Sequence, residues 1–163
     1  MKLLTELSIT KPKVPVERIV RHYKIALQTE AVDGDVSGFL VRYHDKDSAI
    51  IGVNQNQSAK RRRFTIGHEL GHYFLHSEQG QSEVHIDRAS KFVVKLRDSS
   101  SSRGEDREEV EANLFAAELL MPAKFLAADI ERHGGFDLSE DDAKVGTMAD
   151  KYGVSVQAMS YRL

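Results

Sequence analysis

The chain has 163 residues, room for one domain with a sizeable core. Lys plus Arg number 23 against 25 Asp plus Glu, so a net charge of −2 excludes both a nucleic-acid-sized basic excess and an acidic disordered chain. The absence of cysteine removes disulfides, thiolate nucleophiles, iron–sulfur clusters and Cys-type zinc fingers, and no apolar run nears the roughly 18–20 residues that span a bilayer.

The opening MKLLTELSITKPK lacks the continuous apolar stretch and cleavage site of a signal peptide, so a cytoplasmic protein is expected. Val16, Ile19, Val20, Tyr23 and Ile25 carry the spacing of a first amphipathic helix. Asp33-Gly34-Asp35 breaks the chain before two β-rich runs, residues 38–44 and 48–53, which flank Asp45-Lys46-Asp47 and read as a hairpin. Ser58 is placed to cap a helix that runs to about His76. Residues 91–96 (KFVVKL) read as another strand, and the serine-rich stretch 98–106 as a loop. A helix follows over about 105–120, broken at Pro122, then one over 123–132 ended by Gly134-Gly135. Two short helical patterns, roughly 141–152 and 155–162, close the chain around Gly153-Val154-Ser155. The sum is an α+β fold, a small antiparallel or mixed sheet packed with four to six helices.

Four of the histidines, His68, His72, His76 and His85, fall within residues 68–85. His68-Glu69-Leu70-Gly71-His72 spells HExxH. On a helix, residues four apart share a face about 6 Å along the axis, so both imidazoles reach one metal ion. Glu69 flanks that ion, where a carboxylate can take a proton from a water on the metal. Zinc suits the pair because it accepts imidazole nitrogen and keeps an open position for water. Gly67 and Gly71 each cost a helix about 1 kcal/mol relative to alanine, which points to a close-packed backbone beside them. His76 lies too far along the helix to share the ion and is read as a supporting residue.

A catalytic zinc site needs a third protein ligand. His85 stands beyond a glycine-containing break (78–83), so the acidic helix 105–120 is the preferred source. Stepping about 100° per residue places Glu109 in the middle of an apolar arc with Ala112, Ala116, Leu119 and Leu120, and Asn113 about 40° away. Glu111 and Glu118 fall opposite, and Glu108 at the edge beside Phe115. A carboxylate inside an apolar arc needs a charge partner, and a metal ion is one. Glu109 is therefore the favoured third ligand, with Glu108 and Glu111 as alternatives; Asn113 is placed to orient a ligand histidine.

FTIGHELGHYFLH (64–76) followed by EVEANLFAAELLMP (109–122) resembles the ImmA/IrrE family of bacterial and phage metallopeptidases. The resemblance extends over roughly residues 15–163 and includes IIGVNQNQ and the tail ADKYGVSVQAMSYRL. It implies a gluzincin-like zinc peptidase core with His68, His72 and Glu109 as metal ligands and Glu69 as catalytic base. It also implies that the chain cleaves or inactivates a helix-turn-helix repressor controlling mobile elements, stress responses or DNA-damage genes. Zinc is the expected ion and manganese its alternative. One metallopeptidase domain is expected over 1–163, with 1–14 an N-terminal extension and 141–163 a helix-turn-helix-like pair packed on the domain. The second electrophilic helper is open among Tyr73, His76 and His85, and strand 91–96 is a candidate for pairing with an extended substrate.

Two other readings compete. One is a non-hydrolytic antirepressor or toxin–antitoxin partner that sequesters its regulator, against which the intact Glu69 argues. The other is a DNA-binding regulator using the tail as a helix-turn-helix. Its recognition helix would carry Arg162 alone as a positive charge, so few phosphates would be neutralised and direct nucleic-acid binding is disfavoured. Val154, Val156, Met159 and Leu163 suit packing instead. Lys60-Arg61-Arg62-Arg63 opposes the dipole of its own helix, which leaves an acidic partner surface as an expectation for that turn.

Overall fold

A computed structural model describes residues 2–32, 34–43, 48–76, 83–88, 104–132 and 142–163. The strand expected over 91–96, residues 98–103 of the expected loop, the turn at 45–47, the break at 78–82 and Gly134-Gly135 lie outside the described residues; residues 104–106, expected in that loop, instead open a helix that begins at Gly104. The elements in chain order are α1 (Lys2–Glu6), α2 (Val16–His22), β1 (Ala26–Glu30), β2 (Val36–Tyr43) and β3 (Ser48–Asn54). They continue with α3 (Ala59–Leu75), β4 (Glu83–Arg88), α4 (Gly104–Leu120), α5 (Ala123–Arg132), α6 (Asp142–Tyr152) and α7 (Val156–Arg162). The fold class is α+β, as expected, with seven helices among the described residues rather than four to six; α1 is the unexpected one. The residues form two compact units, 16–116, and 1–15 together with 117–163.

In the 16–116 unit four strands pair in the order β1-β3-β2-β4. The expected hairpin is β2 and β3, antiparallel from Tyr43↔Ser48 to Gly38↔Val53. β1 runs parallel to β3, from Ala26↔Ile50 to Glu30↔Asn54. β4 adds antiparallel to β2, with His85 opposite Leu40. Along β4 the alternation is strict: Val84 and Ile86 are 66% and 46% exposed, whereas Asp87 is buried. His85, two residues before Asp87, shares its face.

The first amphipathic helix is shorter than its apolar spacing suggests. It ends at His22 because Lys24 takes φ 57° and the chain reverses. Lys24 N donates to Arg21 O and Ile25 N to Val20 O, a Schellman end in which Ile25 is the apolar residue packed after the turn, not a member of the helical stripe. Ser8 after α1 and Gly153 after α6 repeat the same pair of hydrogen bonds at positive φ.

α3 begins where Ser58 Oγ accepts from Arg61 N at 3.2 Å and is capped at its other end by His76. Two glycines let other backbones approach this helix. A Cβ on Gly38 of β2 would stand 2.3 Å from Thr65 Cγ2, and one on Gly71 would stand 2.8 Å from Ala112 Cα. In the other unit Leu4, Met121, Leu126, Val145, Met148, Tyr152, Val154 and Met159 are buried. Val156, expected to pack, is instead 50% exposed, because it opens the first turn of α7.

Candidate metal centre

α3, α4 and β4 each contribute to one buried cluster. His68, Glu69 and His72 lie on the buried side of α3, at 2%, 0% and 4% exposure. On α4 the apolar arc is as phased from the sequence: Ala112, Ala116, Leu119 and Leu120 are fully buried and Glu109 is 7% exposed. Glu108 is exposed, and Glu111 pairs with Arg107 at 2.8 Å on the outer face. The glutamate brought to the histidines is therefore Glu109.

His72 Nε2 stands 3.1 Å from His68 Nε2. Glu109 Oε2 is 3.7 Å from His68 Nε2, and Glu109 Oε1 is 3.8 Å from His72 Nε2. His85 joins them, its Nε2 2.7 Å from Glu109 Oε1 and its ring stacked on His72 at 3.7 Å between centroids. One donor atom from each of His68, His72, His85 and Glu109 lies within 4.8 Å of all the others. Asn113 is where the helix phase put it, with Oδ1 3.0 Å from His68 Nδ1. If His68 Nδ1–H donates to that oxygen, the Nε2 lone pair faces the centre of the cluster.

Electrostatics put His72 and Glu109 in metal-ready forms, whereas His85 must give up its proton before it can ligate. Burial, reinforced by the neighbouring imidazoles of His85 and His68, pushes His72 down to about 2, so it is neutral. Burial opposes ionisation of Glu109, but its hydrogen bond to His85 and the attraction of the imidazoles around it prevail and hold it at about 2. His85 is likewise opposed by burial, yet the hydrogen bond to Glu109 and the contact with Glu69 raise it to about 10. Glu69 is raised, first by burial, against the pull of His85 and His68.

Both oxygens of Glu69 are buried without a hydrogen-bond partner, although His85 Nδ1 comes within 3.4 Å of Oε2. A buried carboxylate without a hydrogen bond is expensive, and one beside three converging imidazoles fits a site built for a cation and its water. The donor set of imidazole nitrogen and carboxylate oxygen suits a divalent transition metal. His68, Glu69 and Asp87 form a second close group, and Asp87 Oδ2 lies 3.8 Å from Arg61 Nη2.

Other expected participants sit elsewhere. His76 is outside the ligand group, its Nδ1 3.9 Å from Glu111 Oε2. The Tyr73 ring lies under the Arg42 guanidinium at 4.8 Å, and the same guanidinium donates to Tyr73 O. Of the three candidate helpers, the one at the cluster is His85. The sequence keeps it among the helpers but sets it aside as a ligand, because one histidine beyond a glycine break carries no ligand spacing. The signal that was present is the alternation His85-Ile86-Asp87, two polar residues on one face of a short strand. The basic turn also has partners within the fold: Arg61 donates to Ser37 Oγ and faces Asp87, and Arg62 donates to Gln55 O and Gln57 O. An acidic partner surface is not needed to account for those two. Arg162 pairs with Glu118 and donates to Met121 O, so the charge that a recognition helix would offer phosphates is engaged internally.

A family model for the IrrE N-terminal-like domain matches residues 22–163. Immunity region protein 2 of Bacillus phage phi105 is 32% identical over 122 residues, 68% of this chain and 68% of that protein. Metallopeptidase ImmA of Bacillus subtilis (strain 168) is 35% identical over 105 residues, 63% of this chain and 52% of ImmA, so the match spans about half of that relative's length. Among solved structures, a Mycobacterium tuberculosis transcriptional regulator shares the fold at a TM-score of 0.59 and 17% identity, over 97% of this chain and 42% of that one. A family match running through both the two-histidine helix and the glutamate helix places this chain in the ImmA/IrrE family of metallopeptidases.

Proposed function

We propose that this chain is a zinc-dependent metalloendopeptidase that cleaves a helix-turn-helix transcriptional repressor in the cytoplasm. The observation that carries the reading is the convergence of His68, His72 and Glu109 beside the buried Glu69, neither of whose oxygens has a hydrogen bond. His68, His72 and Glu109 would hold the ion, zinc first and manganese as the alternative. When bound, such an ion supplies Lewis acidity, acidifying water and polarising a peptide carbonyl.

Glu69 has the protein's part of the chemistry. Its burial raises its affinity for a proton, which suits a base that must accept one from the attacking water and hand it to the leaving amine. Asn113 fixes the ring of His68. The family match covers residues 22–163 and so takes in parts of both compact units, which supports reading residues 1–163 as one peptidase domain with 1–14 an extension and 141–163 a helical pair. No helix among the described residues is long and apolar enough to cross a membrane. The immunity-region name of the phage relative and the name metallopeptidase ImmA favour a regulator of a mobile element as substrate.

Purified protein is incubated with candidate helix-turn-helix repressors, with zinc, manganese or chelator. Cleavage with metal and none with chelator is expected. Glu69→Gln keeps the side chain's size and should retain metal and repressor binding while losing about 10²–10⁴ in rate. Near-wild-type cutting by Glu69→Gln rules out Glu69 as base. If neither protein cuts and both bind the repressor equally, sequestration replaces hydrolysis as the function.

A further inference from the structure

His85 makes the donor set one larger than an open catalytic centre requires. Catalytic zinc sites keep three protein ligands and a free position, whereas closed sites use four. Here four donors, from three histidines and a glutamate, are already gathered within 4.8 Å of one another. Bonds of about 2.0–2.1 Å to a tetrahedral ion give donor–donor edges of about 3.3 Å. With Glu109 Oε1 as its donor atom, the separations of 3.1 Å (His68–His72), 3.8 Å (His72–Glu109) and 2.7 Å (His85–Glu109) scatter around that edge. The short one, His85 to Glu109, would open by about half an ångström on seating an ion.

We propose that His85 is a fourth, displaceable ligand that closes the metal centre in the resting protein. This rests on the metal centre proposed above. Three features support it. β4 holds His85 in register with Leu40 of β2 and turns it, with the buried Asp87, away from the exposed Val84 and Ile86. Its ring lies against that of His72, 3.7 Å between centroids, and its Nε2 reaches Glu109 Oε1 at 2.7 Å. It is also the donor with most access to solvent: its side chain is 24% exposed, against 2%, 5% and 9% for His68, His72 and Glu109. A group arriving from solvent therefore meets His85 first and can lift it off without disturbing either ligand helix. A substrate carbonyl or the hydrolytic water needs that position, so release of His85 would be the step that opens the site. A residue that only hydrogen-bonds Glu109 would orient that ligand and leave the free position free.

The two roles are separated by counting imidazoles. The intact protein, loaded with one zinc per chain, is examined by zinc K-edge X-ray absorption beside His85→Gln, whose amide can still donate to Glu109. Three imidazoles are expected in the wild type and two in the variant. Zinc affinity, read by chelator competition, should fall by more than the roughly 10–100-fold that loss of an orienting partner costs. Adding acetohydroxamate, a bidentate zinc ligand, should lower the wild-type count from three to two. Two imidazoles in the zinc-loaded wild type would overturn the proposal while leaving the metal centre intact, and that reading needs no variant to fold. A count that stays at three with acetohydroxamate bound removes displacement. A wild type that binds no zinc overturns both this inference and the metal centre beneath it.

Discussion

Glu109 and Glu111 are two residues apart on one helix and differ in almost everything that matters to a carboxylate. Glu111 keeps its water and a surface partner, Arg107. Glu109 has exchanged water for imidazoles, and their attraction holds it ionised at about 2 despite its burial. A buried ionised carboxylate supplies negative charge to a cation at little cost in reorganisation, whereas an exposed one offers none at that point. Glu109→Ala should therefore weaken metal binding strongly, and Glu111→Ala should leave it unchanged. Metal titrations of the two variants side by side test this; a metal-deficient Glu111→Ala would mean the helix phase is wrong. The site was legible in the sequence to this extent because helical periodicity turns spacing into direction. HExxH and the arc around Glu109 both depend on local geometry. His85 was not legible, because its place in the cluster comes from the pairing of β4 with β2, a contact between residues 45 positions apart (Leu40 and His85), which no local spacing encodes.

At the scale of elements, the joining of α3 to α4 rests on a residue without a side chain. Gly71 sits between His68 and His72 in the helix, and a Cβ there would meet Ala112 at 2.8 Å from Cα, 3.0 Å from O and 3.2 Å from Cβ. Backbone cannot yield as a flexible side chain can, so Gly71→Ala must push the helices apart. Its helix-propensity gain of about 1 kcal/mol opposes an overpacking cost of about 1–3 kcal/mol. A net loss of stability is expected in urea unfolding, together with weaker metal binding, since the ligands on the two helices separate. A variant of higher stability and unchanged affinity would show that the contact is not close. The helices themselves were legible from their periodicity, caps and breaks: Ser58, Pro122 and Gly153 mark real boundaries. Lys24 and Ser8 were not, because a non-glycine residue at φ 57° or 51° gives no warning in sequence. β1 was missed for a different reason. Ala26–Glu30 is mostly exposed and lacks alternation, so only its parallel pairing with β3 makes it a strand.

Across the whole molecule a net charge of −2 leaves no large field, and the charges that matter to stability are those taken into the interior. In the unit of residues 1–15 and 117–163 that charge is Asp129, 2% exposed near the end of α5. It accepts from Lys151 Nζ at 2.7 Å and from Tyr152 Oη at 2.9 Å, and so ties α5 to α6; Arg132 adds a contact at 3.3 Å. Arg132 is 73% exposed and Lys151 40%, so solvent screens both. The hydroxyl of the fully buried Tyr152 is the partner with no alternative in water. Tyr152→Phe should cost about 1 kcal/mol, and Asp129→Asn about 1–3 kcal/mol because it leaves buried donors with a neutral acceptor. The carboxyl of Asp129 is opposed by burial but held below its ordinary value by Lys151 and Tyr152. Its folded value is thus depressed relative to an unfolded value of about 3.9. The stabilisation from its charge is then complete above about pH 3.9 and drains away as pH falls through the folded value. Urea unfolding of wild type and Asp129→Asn should differ most near neutrality and converge in acid. A difference that persists at the lowest pH where the protein folds would assign the loss to shape rather than charge.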